Sequence, residues 1–460
     1  MTTDQAAVHE SAPPLPAPPA AGILQRPYLL VTVGACALVF LAAFESLAVT
    51  TIMPVVSREL DGAALYALAF AGPLATGVIG MVGAGNWSDR RGPVAPLYVS
   101  VAVFALGLLV AGTAESMPAL VAGRLIQGLG GGAMTVALYV VVARAYPAVL
   151  HAKIFAAFSA AWVIPSLVGP FAAGLVAQLA SWHWVFLGVV VLVVPALAML
   201  VPALRRVRSG PEDQPVPWAF GRLAWAALAA LAVLGLNLSA GVPVAGPLMA
   251  GAAVVVALLA VRPLVPRGTL TARRGLPSVI LTRGLVSAAF FGAEVYLPYL
   301  LVERYAFSPT FAGLTLTGGA LAWAAASGIQ GRLGGRLGSP AAVRTGSLLV
   351  LAAIVLALVT TAVGWPAAVA IFGWILAGGG MGLMYPRLSV MTLALSTPDT
   401  EGFNSSAMSI SDSLGGALAL ATTGIVFTAL TTTAASFAGV FALTAVIAAA
   451  GVAIAPRVTD

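Results

Sequence analysis

The stretch Gly85-Asn86-Trp87-Ser88-Asp89-Arg90-Arg91-Gly92 has a second copy, in outline, later in the chain. Residues 331–338 read Gly-Arg-Leu-Gly-Gly-Arg-Leu-Gly and follow the first copy by 246 residues. The glycine run at 130–132 recurs at 378–380, an offset of 248 residues. Because two independent matches have nearly the same offset, we infer two similar halves arranged as a parallel repeat.

The composition around this repeat predicts a protein of the lipid bilayer. The 460 residues are 60% hydrophobic and 8% charged, and the mean hydropathy is +1.02. Ordinary soluble domains carry about 25% charged residues, so a chain this apolar has more apolar surface than a soluble core can bury. We therefore predict a membrane protein.

Several classes of function are disfavoured by the residue types. The single cysteine, Cys36, and the scattered His9, His151 and His183 offer neither a disulfide framework nor a metal cluster. The net charge of +7 is dispersed between apolar runs, so we expect no nucleic-acid partner. No Ser/His or Asp/Asp pair has a spacing that suits an intramembrane enzyme. We expect no enzyme activity and no metal.

Runs of about 20 apolar residues, the length of a helix that crosses roughly 30 Å of hydrocarbon, predict an all-α protein with fourteen transmembrane helices. They cover residues 28–54, 65–84, 95–114, 119–143, 154–178, 184–203, 223–239, 244–261, 278–302, 310–330, 342–363, 368–394, 403–430 and 432–455. The short central pair leaves a second interpretation open. Residues 236–241 suit either a tight turn or a re-entrant bend, and the latter would return the count to twelve.

The basic residues predict the orientation of these helices. With the N-terminus in the cytoplasm, 17 of the 22 Lys and Arg residues lie on the cytoplasmic side, which predicts that both termini are cytoplasmic. The predicted units are a disordered cytoplasmic tail (1–26), an N-terminal six-helix bundle (27–204), a cytoplasmic linker with two extra transmembrane helices (205–277) and a C-terminal six-helix bundle (278–460).

Four motifs accompany the Gly85–Gly92 stretch, which we predict to be a cytoplasmic turn. They are Glu-Ser-Leu-Ala-Val-Thr-Thr-Ile-Met-Pro at 45–54, Arg-Leu-Ile-Gln-Gly-Leu-Gly at 124–130, Gly-Pro-Phe-Ala-Ala-Gly at 169–174 and Trp-His-Trp-Val-Phe at 182–186. Each motif alone is moderately specific. Their order along the chain makes the combination far more specific: the motifs lie on the first predicted helix, after the second, on the fourth and fifth, and near the start of the sixth.

This combination resembles the major facilitator superfamily, and the central helix pair makes it similar to the fourteen-helix branch of the drug:proton antiporters. The resemblance implies alternating access between two six-helix bundles, with protons as the coupling ion and no other cofactor. It implies export of small lipophilic compounds, cations among them, across the cytoplasmic (inner) membrane, and hence antibiotic resistance. It assigns a cytoplasmic gate loop to Gly85, Asp89, Arg90 and Gly92, and an antiporter motif to Gly169, Pro170 and Gly174.

Three acidic residues, Glu45, Glu294 and Asp412, lie well inside predicted spans, where a charge costs on the order of 3 kcal/mol or more. Glu45 and Arg124 lie at similar depths, because helices rise about 1.5 Å per residue. We predict that protonation of Glu45 frees Arg124, and that Glu45, Arg124, Asp412 and Glu294 couple transport to protons. The alternative is that these polar groups only pin the packing of helices.

Glu294 follows Glu45 by 249 residues, close to the repeat offset. Aromatic rings at helical spacing around a carboxylate suit a lipophilic cation through cation–π attraction, although they also suit an interfacial aromatic belt. The predicted substrate-cavity residues are Glu294, Phe290, Phe291, Tyr296 and Trp162.

Arg283 and Arg387 lie near the cytoplasmic ends of predicted helices, and we interpret them as side chains that snorkel to the interface.

The same fold suits an uptake symporter or an exporter of a lipid or metabolite. A sensor is disfavoured because the insert at 204–222 is too short for an output domain, and a channel is disfavoured by the two-half repeat. Because a transporter built from two halves is complete in one chain, we expect a monomer. Its expected partners are a small-molecule substrate and membrane lipid.

Overall fold

The computed structural model of the protein describes residues 22–62, 65–205, 217–239, 242, 245–307, 309–333, 338–430 and 432–459. Most of the predicted tail (1–26) lies outside the described residues. So do residues 206–216 of the predicted linker unit, the turn at 240–241, and residues 334–337 of the second motif copy.

Fifteen α-helices account for nearly all of the described residues. They are α1 (Leu29–Glu59), α2 (Tyr66–Arg91), α3 (Val94–Gly112), α4 (Met117–Ala145), α5 (Ala148–Leu179), α6 (His183–Leu204), α7 (Phe220–Ser239), α8 (Gly246–Val261), α9 (Leu276–Glu294), α10 (Tyr296–Tyr305), α11 (Pro309–Leu333), α12 (Ser339–Val359), α13 (Ala367–Ala394), α14 (Glu401–Ala429) and α15 (Thr433–Ile454). Each of the fourteen predicted segments contains a helix, and α9 and α10 share one segment.

Eleven helical segments of the described chain are long and apolar enough to cross a membrane, and α7 and α8 are shorter apolar helices. The protein is therefore a multi-pass, all-helical membrane protein. Its helices satisfy their backbone hydrogen bonds internally, as a segment in hydrocarbon must.

The prediction that residues 85–92 form a turn was wrong for all but the last of them. Helix α2 continues through Arg91, and the chain turns at Gly92, whose φ of 82° lies in the left-handed region that favours glycine. The apolar run ends near Gly85, but the backbone still needs its hydrogen bonds at the membrane boundary, and continued helix supplies them. Polar residues therefore mark the end of the hydrocarbon rather than the end of the helix.

Equivalent pairs of helices in the two halves pack closely at glycines. A Cβ on Gly128 of α4 would lie 2.3 Å from the Pro73 Cα of α2, and one on Gly378 of α13 would lie 2.0 Å from the Gly319 oxygen of α11. Gly130 packs against α3 as Gly380 packs against α12. The structure therefore matches Gly128 with Gly378 and Gly130 with Gly380, which corrects by two positions the register read from the sequence.

Two large apolar cores hold the helices together. One consists mostly of residues of α1–α6, which we call the first helix group, and the other joins residues of α9–α15, the second helix group. A third core packs Val233 of α7 with Val78 of α2 and Met408 of α14. Helix α7 therefore lies beside the seam where α2 of the first group meets α14 of the second.

Candidate functional site

A buried polar cluster lies between α1 and α4. Arg124 Nη1 donates to Glu45 Oε1 and to Gln127 Oε1, the latter at 2.9 Å, while Gln127 Nε2 donates to Glu45 Oε2 at 2.9 Å. Arg124 Nε also donates to the Ala69 carbonyl oxygen of α2 at 3.2 Å. The predicted contact between Glu45 and Arg124 is present, and Gln127 completes a triangle with them.

The cluster is excluded from solvent by its neighbours. Glu45 is 1% exposed, Arg124 5% and Gln127 6%. Helix α3 covers Gln127 at Gly107, where an added Cβ would lie 2.2 Å from the Gln127 backbone nitrogen. An ion pair at this depth depends on each partner, because a buried charge that loses its counter-ion is strongly destabilising.

Gln127 was not predicted as a site residue, although it stands in the 124–130 motif. It lies three residues after Arg124, and residues three apart on a helix are neighbours on one face. The spacing alone could have placed its amide beside the guanidinium.

Asp89 joins the first helix group to the second. Its Oδ1 accepts the backbone N–H of Gly402 at 2.6 Å, and its Oδ2 accepts that of Phe403 at 2.9 Å. These N–H groups belong to the first turn of α14, where the helix dipole favours a negative charge. We call this end of the molecule, where α2 ends and α14 begins, the Asp89 end.

A second pair of contacts closes the Asp89 end. Arg144 at the end of α4 donates to Glu401 Oε2 at 3.1 Å and to the Pro398 carbonyl oxygen at 2.9 Å. Gly85 lets α2 approach α14, because a Cβ there would lie 2.5 Å from the Gly402 oxygen. Four hydrogen bonds between described residues therefore join the two helix groups at this end, which is closed.

Arg90 and Gly92 complete the set of predicted gate residues. The Arg90 guanidinium carbon lies 4.8 Å from the centre of the Trp218 ring, just before α7. Asn86 Oδ1 accepts the Ala219 backbone N–H at 3.1 Å. This part of the motif therefore positions the start of α7, and Gly92 makes the turn into α3.

A second buried charge cluster lies within the second helix group. Arg283 Nε of α9 donates to Asp412 Oδ1 of α14 at 3.1 Å, and Tyr385 and Ser287 also donate to that oxygen. Arg283 Nη1 reaches Ser389 Oγ at 3.2 Å. Asp412 thus has a cation and two hydroxyl donors, and its side chain remains 24% exposed.

The interpretation of Arg283 and Arg387 as snorkelling side chains was wrong. Arg283 is 3% exposed because it pairs with Asp412, and Arg387 is buried against the side-chain amide of Gln330. Tyr139 of α4 also interacts with Arg283. The cluster therefore extends from the second helix group to the first, which the sequence did not predict.

Glu294 lies where α9 ends and α10 begins, and within the described residues its carboxylate has no hydrogen bond or ion pair. Phe290 is buried against Phe291, Trp323 and Trp374, with ring centres 5.0–5.5 Å apart. Tyr296 packs on Phe427 at 5.2 Å instead. The predicted rings therefore form two separate aromatic groups, and whether they bind a substrate stays a prediction.

The predicted antiporter motif lies on α5, beside the helix that carries Glu45. A Cβ on Gly169 would be 3.7 Å from the Phe44 ring of α1, while no described atom lies within 4 Å of a Cβ on Gly174. Pro170 is a residue of the same helix. Trp162, also on α5, is 49% exposed.

The described part of the chain brings together no three His, Cys, Asp or Glu side chains that could hold a metal ion. The described residues contain two buried ion pairs and the closed Asp89 end. Carboxylates paired with arginines can take up and release protons, and contacts between two helix groups can open and close.

A comparison with known families decides the classification. The model of the Major Facilitator Superfamily matches residues 35–420, most of the chain. The chain belongs to the Major Facilitator Superfamily. It is 28% identical over 423 residues to a Mycobacterium tuberculosis H37Rv protein named "Probable multidrug-efflux transporter Rv1634", covering 87% of this chain and 88% of that one. It is 23% identical to the multidrug efflux pump SdrM of Staphylococcus aureus N315, covering 80% and 83%.

Solved structures share the superfamily fold. A bacterial homologue of the iron transporter ferroportin in an outward-facing state matches with a TM-score of 0.70 at 14% identity, over 93% of this chain and 98% of that one. The human organic anion transporter MFSD10 matches with a TM-score of 0.65 at 19% identity, over 92% and 100%. The similarities of this superfamily member are to transporters and not to enzymes.

Proposed function

We propose that the protein is a proton-coupled antiporter that exports small lipophilic compounds across the cytoplasmic membrane by alternating access. The observation that carries this proposal is the buried, hydrogen-bonded triangle of Glu45, Arg124 and Gln127. It holds a titratable carboxylate beside a cation inside a transporter fold. The multidrug-efflux names of its relatives support the choice of substrate. Gly169 of the antiporter motif, which also includes Pro170 and Gly174, lies against the helix that carries Glu45.

The proposed architecture is two six-helix bundles with α7 and α8 as an extra pair between them, which gives fourteen crossings. Both termini then lie in the cytoplasm, and so does the Asp89 end. A closed Asp89 end corresponds to a cavity that opens outward. The two bundles form a complete transport unit, so a monomer suffices.

Helix α2 connects the proton site to the closed end. Arg124 binds the Ala69 carbonyl oxygen near one end of α2, and Asp89 lies near the other end of the same helix. At about 1.5 Å per residue, about 30 Å of continuous helix separates the two contacts. Protonation of Glu45 releases the Arg124 guanidinium from its counter-ion, and a shift of α2 then disturbs the contact of Asp89 with α14.

Asp412 provides a second titratable group in this scheme. It is more exposed than Glu45, and Tyr139 links its partner Arg283 to α4 of the first bundle. A proton that reaches Asp412 weakens the Arg283 pair and loosens the two bundles from each other. The Glu294 carboxylate has no partner among the described residues, and we propose that it attracts a cationic substrate.

The test is an efflux assay in everted membrane vesicles with an acidic interior and a panel of fluorescent dyes and antibiotics. We expect dye accumulation that stops when an ionophore collapses the pH gradient. Empty-vector vesicles provide the control. Accumulation that is independent of the gradient would exclude proton coupling, and movement in the opposite direction would indicate an uptake symporter.

A further inference from the structure

A cavity of about 990 Å³ lies between α7, α8 and the start of α14, outside the proton site. Its walls are mostly apolar, and three arginines line it. The lining side chains include Arg222, Trp225, Leu228, Val256, Leu259, Arg262, Arg267 and Phe403. The transport mechanism above uses none of these three arginines.

The cavity has a polar end and an apolar end. Arg222 lies near the beginning of α7, and Arg262 follows the last residue of α8, so both guanidinium groups belong to the Asp89 end. Leu228 is six residues further into α7 and Val256 is six residues further into α8, about 9 Å deeper in each case. The arginines therefore stand at the membrane boundary, and the apolar walls extend from them towards the hydrocarbon.

The positive charge at the boundary is not neutralised within the described residues. No acidic side chain lines the cavity, and none of the three arginines forms an ion pair with a described residue. Arg262 and Arg267 are exposed, and the Arg222 guanidinium carbon lies 4.1 Å from the centre of the Phe403 ring. A ligand for this site must supply a negative charge.

The apolar walls restrict the ligand further. Trp225 is 41% exposed and Leu259 is 49% exposed although both line the cavity, so a large apolar area borders the arginines. A free inorganic anion would leave that area uncovered. A molecule with an anionic phosphate and acyl chains would neutralise the arginines and cover the apolar walls together, as lipids do in basic pockets between transmembrane helices.

We infer that this cavity binds an anionic phospholipid, with its phosphate at Arg222, Arg262 and Arg267 and an acyl chain along Trp225, Leu228, Val256 and Leu259. The extra helix pair then provides a lipid site at the seam of the two bundles. Phe403 borders the cavity, and its backbone N–H contacts Asp89, so the bound lipid lies next to the closed end.

The experiment titrates the purified full-length protein, in nonionic detergent, with brominated phosphatidylglycerol and reads quenching of tryptophan fluorescence. Brominated phosphatidylcholine, which is zwitterionic and has no net charge, is the comparison lipid. The test variant is R222Q/R262Q/R267Q, and the matched control is R26Q/R332Q/R344Q, which removes three exposed arginines elsewhere at the same end. W225F removes the reporter inside the cavity and leaves its shape nearly unchanged.

We expect phosphatidylglycerol to quench at lower concentration than phosphatidylcholine, with about fivefold weaker binding for each cavity arginine removed. The control variant should behave as the unmodified protein, and W225F should lose part of the quenching. Equal quenching by both lipids would overturn the inference, as would equal losses in the two triple variants. Displacement by millimolar glycerol phosphate would also overturn it, because the site would then bind free anions.

Discussion

Asp89 accepts the backbone N–H of Gly402 at 2.6 Å, although the two residues are 313 positions apart in the sequence. The contact places a carboxylate at the N-terminus of α14, where the unpaired N–H groups and the helix dipole both favour a negative charge. It joins the helix that binds Arg124 to the helix that carries Asp412. The closed end and the two buried charge clusters are therefore parts of one connected set of helices.

Asp89→Asn is expected to weaken this closure without unfolding the protein. An asparagine keeps one carbonyl oxygen for Gly402, but its NH₂ group faces the Phe403 N–H, and the charge is lost. Hydrogen bonds to a charged group exceed neutral ones by about 1.5 kcal/mol, so the closed-to-open ratio should fall about tenfold. Turnover in everted vesicles should slow, with substrate affinity largely retained.

The matched control for this change is Asp61→Asn, since Asp61 is exposed at the opposite end of the first helix group. Its positive φ of 48° suits asparagine as well as aspartate. Hydrogen–deuterium exchange should rise at residues 401–404 in Asp89→Asn only. Unchanged turnover and exchange in that variant would remove Asp89 from the gate.

Gly402→Ala should prevent the Asp89 end from closing by steric means. Its Cβ would lie 2.1 Å from the Gly85 carbonyl oxygen and 2.8 Å from Asp89 Oδ1, closer than non-bonded atoms approach in real structures. Gly416→Ala in the same helix is the control, because its Cβ would be 3.9 Å from the Phe291 ring. We expect lost turnover and faster exchange at 85–91 in the first variant, and near-normal values in the second. Normal efflux by Gly402→Ala would mean that the tight approach of α2 and α14 is dispensable.

The sequence predicted the helices and the first charge pair for simple physical reasons. Apolar runs set the helix positions, and the rise per residue set the depths of Glu45 and Arg124. Neither argument gives the rotation of one helix relative to another. The contact of Gln127 with Glu45 and Arg124 could therefore be predicted only from the structure or from an explicit use of helix periodicity.

The second charge cluster could not be predicted in the same way. Arg283 lies near a helix end, where a snorkelling side chain is the usual outcome, and its partner Asp412 stands on a helix far along the chain. Only the packing of α9 against α14 brings them together. Their contact depends on Gly284 and Gly415, since a Cβ on Gly415 would lie 2.2 Å from the Gly284 carbonyl oxygen.

Asp412→Asn should lower thermal stability, because it leaves Arg283 buried without its anion. Breaking a buried pair costs about 3–5 kcal/mol, and the partial exposure of Asp412 reduces this to about 1–3 kcal/mol. Asp399→Asn, in the exposed loop before α14, is the control. The double variant R283M/D412L should recover stability without recovering pH-driven efflux. Equal melting temperatures for Asp412→Asn and Asp399→Asn would show that the pair contributes nothing to the fold.

The proposed crossing of the membrane by α7 and α8 is testable by labelling. Epitope tags inserted at Gly210 and Gly268 should both be accessible from the cytoplasm. In a Cys36→Ser background, a cysteine at position 241 should react with an impermeant maleimide added outside intact cells. Labelling of Gly241→Cys from the cytoplasm alone would instead make the pair re-entrant, and the count would return to twelve.

Glu45→Gln should abolish the response of efflux to a pH gradient, because glutamine fixes the neutral state of the side chain. Its oxygen can still accept from Arg124, so insertion and substrate binding should persist, while its NH₂ group faces the Gln127 donor. The variant should also be less stable than the unmodified protein, because Arg124 stays buried without its counter-ion. Glu59→Gln on the same helix is the control, since a glutamine oxygen there can keep the 2.9 Å bond from Trp182 Nε1. Efflux at several imposed gradients gives the measurement.

Two companion variants separate proton coupling at Glu45 from substrate binding. Arg124→Ala removes the cation that favours the ionised carboxylate, so the pH optimum of transport should move upward. Glu294→Gln should change which dyes are exported more than it changes the dependence on the gradient, because Glu294 lies apart from the triangle at the end of α9. If Glu45→Gln still exported dye in proportion to the gradient, the coupling proton would have to bind elsewhere. Asp412, which among the described residues is the other carboxylate paired with a buried arginine, would then carry it.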